Sequence, residues 1–155
     1  FTPKSLLRHP MAVSKTEELA KGHFNYVLQD TEVQAEEVRK VVFCSGKVYY
    51  DLYKKRQQQE ISDVALVRIE QYYPFPDADV RGELERYSNA KHFVWCQEEP
   101  RNMGAWTFIR SRFEQDLENT HWLEYVGRES SASPAAGTQK LHTAEQEKLV
   151  NEALS

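Results

Sequence analysis

"VVFCSGKVYYDL", residues 41–52, decides the fold. Four apolar residues in a row, Val41 to Cys44, suit a strand covered on both faces. Ser45-Gly46-Lys47 then reads as a tight turn. Val48, Tyr49, Leu52 and Tyr53 follow at the spacing of one helix face. The same grammar repeats along the chain. Apolar runs at Val64–Ile69, Phe93–Cys96 and Leu123–Val126 predict strands over 40–45, 63–69, 92–97 and 122–127. Helical stripes lie between them: Val80, Leu84 and Tyr87 in 77–88, then Ala105, Phe108, Ile109 and Phe113 in 103–117. A last helix over 143–154 carries Leu149, Val150 and Leu154, with Thr143 and Gln146 at cap spacing. Strand alternating with helix implies an α/β domain, a mainly parallel sheet with helices on both faces.

The first 36 residues are less regular. Ser14 and Glu17 have capping-box spacing, which predicts a short helix near 15–20, and 23–37 reads as an acidic surface connection. "SSASPAAGT", 130–138, is a loop too short to link domains. The 155 residues suit one domain, 1–155. A net charge of −4 argues against non-specific nucleic-acid binding. No apolar run approaches the roughly 20 residues of a membrane helix. The chain begins with Phe1 rather than Met, as an excised piece of a longer protein would.

Several residues could carry chemistry. A glycine and a lysine at a strand-to-helix turn suit an anion, because a helix N-terminus presents free N–H groups. Lys47 is therefore a candidate phosphate ligand. The turn is not a P-loop, which needs a second glycine and a hydroxyl where Val48 stands. The plainer reading makes Gly46 a turn residue and Lys47 a solvated one. Arg39 lies at the other end of the same strand run. Glu98 and Glu99 leave a strand together and could act as an acid/base pair, but neighbours on an extended chain point apart, so the better reading has one facing inward to brace a loop while Asn102 caps the next helix. Cys44 and Cys96 sit in apolar runs and read as buried thiols. A thiol-redox role for them lacks the C-x-x-C spacing. His9, His23, His92, His121 and His142 show no metal-ligand spacing.

Six stretches occur here in one order: "TPKSLLRHP", "VVFCSGKVYYDL", "VALVRIEQYYPFP", "FVWCQEEPRNMGAW", "YVGRESSASPAAG" and "LVNEAL". From Thr2 to Leu154 the chain resembles the C-terminal domain of thiamine-dependent 2-oxoglutarate dehydrogenases, of the transketolase-like group; the 2-oxoadipate relatives share much of the pattern. The resemblance implies the fold of the third transketolase domain. It also implies no cofactor in this segment, with thiamine diphosphate and magnesium held by preceding domains of the same enzyme. The complete enzyme would decarboxylate 2-oxoglutarate and succinylate the lipoyl group of a second component, the succinyltransferase, in the tricarboxylic acid cycle. It would be a homodimer, cytoplasmic in a bacterium and in the mitochondrial matrix of a eukaryote. Some members bind acetyl-CoA or an adenine nucleotide in this domain, which points to Arg39 and Lys47 as effector phosphate partners. Tyr49, Tyr72, Tyr73 and Trp106 are expected to form an aromatic surface toward another chain. A free-standing nucleotide-binding module is the alternative from the SGK turn alone.

Overall fold

A computed structural model of the chain describes residues 3–116 and 122–155. His121 and the start of the "TPKSLLRHP" stretch lie outside the described residues. One sheet runs β1 (Val27–Leu28), β3 (Val64–Ile69), β2 (Lys40–Cys44), β4 (His92–Pro100) and β5 (Leu123–Arg128) from edge to edge. β3, β2, β4 and β5 are parallel, and β1 is antiparallel to β3. The helices are α1 (Thr16–Lys21), α2 (Val48–Gln58), α3 (Asp77–Arg86), α4 (Trp106–Asp116) and α5 (Gln139–Leu154). The four expected strands and the mainly parallel sheet are all present. No helix among the described residues is long and apolar enough to cross a membrane.

Side-chain alternation along the strands builds two cores. Val41, Phe43, Ala65, Val67, Ile69, Phe93 and Trp95 face α3 and α4, meeting Val80, Tyr87, Ile109 and Phe113. Val42, Cys44, Val64, Leu66, Val94, Cys96 and Val126 face α2 and α5, meeting Val48, Leu52, Leu149 and Leu154. This division follows from the right-handed rule for parallel crossovers. The step from β2 to β3 runs one way across the sheet and puts α2 on one face. The step from β3 to β4 runs back over β2, so α3 lies on the other face, and α4 continues in that direction.

Local corrections concern the ends of elements. α1 begins at Thr16, and the carboxylate that accepts at its entrance is Glu18, from the Lys15 N–H at 2.8 Å, so the Ser14/Glu17 box is not used. α5 begins a turn earlier than expected. Its cap is Thr138, whose hydroxyl accepts from the Leu141 N–H at 3.3 Å, while the Thr143 hydroxyl donates to the Gln139 carbonyl. The 23–37 stretch is more than a surface connection, since it supplies β1 and the buried Asp30. The last carbonyls of the chain are held by cations at the start of β2: Arg39 donates to Leu154 and Ser155, and the Lys40 Nζ donates to Ser155 at 2.5 Å.

α2 ends on Glu60, a non-glycine residue with φ of 53°. The left-handed conformation lets the Ile61 N–H reach the Arg56 carbonyl at 3.1 Å and close the helix. A side chain there is strained. Glu60→Gly should therefore raise stability by about 0.5–1 kcal/mol, read from urea denaturation. No gain would mean that glycine's extra freedom in the unfolded chain cancels the relief of strain.

Candidate functional site

The parallel strands diverge from β2: its chain leaves toward β3, and the chain from β4 leaves the other way toward β5. Between the carboxyl ends of β2 and β4 such a sheet opens a crevice, the usual ligand position in this architecture. A cleft of about 580 Å³ lies there. Ser45, Gly46, Lys47 and Val48 form one wall, Gln97, Glu98, Glu99, Gly104 and Ala105 the opposite one, with Tyr72, Tyr73, Trp95 and Phe108 between.

Gly46, with φ of 65°, makes the turn that delivers Lys47 to the start of α2. The Lys47 side chain is 28% exposed. Its Nζ donates to Glu98 Oε1 at 2.5 Å and lies 3.6 Å from Asp51. Glu98 stands on the α2/α5 side of β4 because it continues the alternation of Val94 and Cys96. Its Oε1 also accepts from Gln146 of α5 at 3.0 Å, and Gln146 reaches Asp51 at 2.9 Å. So Glu98 faces inward and ties two helices to the strand, while Glu99 is exposed. Among the lining residues Lys47 is the cation and Glu98 and Glu99 are the carboxylates, of which Glu98 meets Lys47.

Gln97 shapes the opposite wall. It follows Phe93 and Trp95 on the α3/α4 side and is buried. Its Oε1 accepts from Trp95 Nε1 at 2.9 Å and from the Trp106 N–H at 3.0 Å, and so caps α4. Its Nε2 donates to the carbonyls of Glu99, Pro100 and Met103 at 2.8–3.3 Å. Gly104, φ 67°, leaves room for that amide: a Cβ there would lie 2.9 Å from Nε2. Asn102 does not cap α4. It exchanges two hydrogen bonds with the Ser131 backbone and pins the 130–138 loop instead. Burial pushes the Tyr72 phenol up to about 12, against the effect of a hydrogen bond with Ser45, so it stays protonated near neutral pH.

The other sequence candidates fall elsewhere. Arg39 is at the opposite end of β2, about 17 Å away at 3.3 Å per residue. It pairs there with Asp63 at 2.7 Å. Lys47 and Arg39 therefore do not converge on one phosphate. Cys44 and Cys96 are free and buried, and burial pushes both thiols above their ordinary range, which withholds the reactive thiolate. Trp106 is buried in the core and is not part of an aromatic surface. Tyr49 is half-buried beneath the Arg68 guanidinium, 4.1 Å from its ring, whereas Tyr73 is 84% exposed. Sequence reasoning missed Gln97 and Gln146. Period-2 counting from Phe93 and Trp95 would have placed Gln97 inward; Gln146 was marked only as a cap partner of Thr143, and nothing local gives its place at the site.

The family model for the 2-oxoglutarate dehydrogenase C-terminal region matches residues 13–154. The chain belongs to the 2-oxoglutarate dehydrogenase C-terminal family. It is similar over its whole length to "2-oxoglutarate dehydrogenase E1 component" of Haemophilus influenzae, at 50% identity over 156 residues. The proteins of that name from Cupriavidus necator and Azotobacter vinelandii are 47% and 46% identical, again across all of this chain. The chain spans 16–17% of the length of these relatives. Within this family member, then, the two facing walls of the cleft come from "CSGKVYYDL" and "WCQEEPRNMGAW", parts of two stretches that carried the resemblance, and Tyr72 and Tyr73 come from a third.

Proposed function

We propose that the chain serves as the C-terminal domain of the decarboxylating component of a 2-oxoglutarate dehydrogenase. The observation that carries this is identity of 46–50% across the whole chain to proteins named as that component. Their name also favours 2-oxoglutarate over 2-oxoadipate as the parent substrate. The complete enzyme would decarboxylate the oxo acid on thiamine diphosphate with magnesium and pass the succinyl group to the lipoyl group of the succinyltransferase component, within the tricarboxylic acid cycle. On this reading thiamine diphosphate is held by preceding domains of the enzyme and not by the cleft residues. No step of that chemistry is assigned to these residues. Calorimetry on residues 1–155 should show no micromolar thiamine diphosphate binding, while a longer polypeptide containing them should release carbon dioxide from 2-oxoglutarate. Release from a different oxo acid alone would overturn the assignment.

Regulation and dimer formation are the domain's own part of this reading. The cleft receives a phosphate of acetyl-CoA or an adenine nucleotide at Lys47, where the start of α2 adds favourable partial charge. Arg39, at the far end of β2, would reach a phosphate only of a long ligand or of one shared with a neighbouring chain. On this reading Tyr72 and the exposed Tyr73, beside the cleft, would meet a second chain. Lys47→Ala in the complete enzyme should weaken acetyl-CoA binding about tenfold or more, because a charge-assisted hydrogen bond contributes roughly 1.5–3 kcal/mol. Titration by calorimetry measures it. Unchanged affinity would leave Lys47 with a purely structural role.

A further inference from the structure

Lys47 is already engaged in the structure, and the group that engages it belongs to the chain. We propose that Glu98 is an internal competitor that sets the affinity of the cleft for anions, a proposal that rests on the effector reading of Lys47. The ammonium and the carboxylate meet at 2.5 Å, each about a quarter exposed, so the pair is partly desolvated but open to exchange. Lys47 carries the positive charge of the lining, and Glu98 and Glu99 carry two negative ones. A phosphate entering this cleft meets net repulsion unless it takes the place of Glu98 on the ammonium.

The surroundings suit such an exchange. Strand alternation puts Glu98, and not Glu99, on the Lys47 side. Asp51, at 3.6 Å, keeps a second charge near Lys47 and can hold the ammonium in place while partners change. Glu98 would not be left bare on release, because Oε1 also accepts from Gln146 at 3.0 Å. Gln146 belongs to α5, so occupancy at Lys47 is transmitted to the contact among β4, α2 and α5. The carboxylate thus acts as a resident ligand, and an effector binds by the difference between its own interaction and that of Glu98.

Glu98→Gln tests this, since the amide oxygen still accepts from Gln146 while the charge is gone. Acetyl-CoA and ADP are titrated calorimetrically into the wild-type protein, Glu98→Gln, Lys47→Ala and the double variant, each verified as folded by thermal melting. Glu98→Gln should bind the probes about tenfold more tightly, a change of about 1.4 kcal/mol. The double variant should lose that gain. If the wild type binds and Glu98→Gln binds no tighter, the competitor role is wrong and the effector reading stands. If only Glu98→Gln binds, competition is upheld and the native chain is no effector site under those conditions. If neither binds, both proposals are overturned.

Discussion

Asp30→Ala should lower the melting temperature by about 10 °C in circular dichroism, because Arg56 loses its buried carboxylate and keeps only the more exposed Glu32, while the Leu66 N–H loses its acceptor. Asp30 and Arg56 are 4% and 3% exposed at their side chains and form a direct ion pair. Asp30 also accepts from the Leu66 N–H at 2.8 Å, and Arg56 donates to the Val64 carbonyl at 3.1 Å and to Glu32 at 3.1 Å. One pair therefore ties the segment after β1, the helix α2 and the strand β3. Removing one partner of a buried pair costs about 3–5 kcal/mol, since the other charge stays desolvated. At this chain length each kcal/mol moves the transition by about 2–4 °C. Asp30→Ala with Arg56→Met should lose less than the sum of the two single variants, because no charge is left alone. Additive losses would mean that the two side chains act separately.

Gln97→Leu is expected to cost about 3–5 kcal/mol in urea denaturation, although leucine has nearly the right volume. The substitution leaves the Trp95 indole N–H and the first N–H of α4 without their acceptor, and removes the donor to three carbonyls. Buried groups left unpaired cost about 1–3 kcal/mol each. Gln97→Glu keeps the acceptor but sets a buried carboxylate against the three carbonyls, so its deficit should be no smaller. A loss below about 1 kcal/mol for Gln97→Leu would show that water replaces the amide.

Much of the fold was legible because its signals are local. Val41–Cys44 and Val64–Ile69 are continuous apolar runs, and buried parallel strands read that way. β1 was not legible. Val27-Leu28 is too short to show a period, and its existence depends on the edge that β3 offers. Asp30 sits in a polar stretch and Arg56 near the end of a helix; each looks solvated until the other is brought to it. The start of α5 was misplaced because Thr143/Gln146 has the capping-box spacing, whereas Thr138, the residue that caps, is followed three positions on by Leu141. At the site, the SGK turn announced Lys47, and the inward carboxylate of the Glu98-Glu99 pair was expected. Their meeting across 51 residues was decided by sheet order and register. Gln146 was read only as a cap partner, and its role at the site was hidden for the same reason: its partners Asp51 and Glu98 lie on other elements.

The position of α5 has a consequence for synthesis on the ribosome. The core beneath α2 takes Leu149, Val150, Ala153 and Leu154 from this helix, and Arg39 and Lys40 wait at the start of β2 for its final carbonyls. A nascent chain that has emerged through β5 owns a complete sheet with one face half bare, displaying Val42, Val94 and Val126. Domains fold as they are translated, and exposed apolar surface is where chaperones and misassembly compete. Stalling before α5 emerges should thus leave a chain that holdases retain, and delivery of the helix should release it.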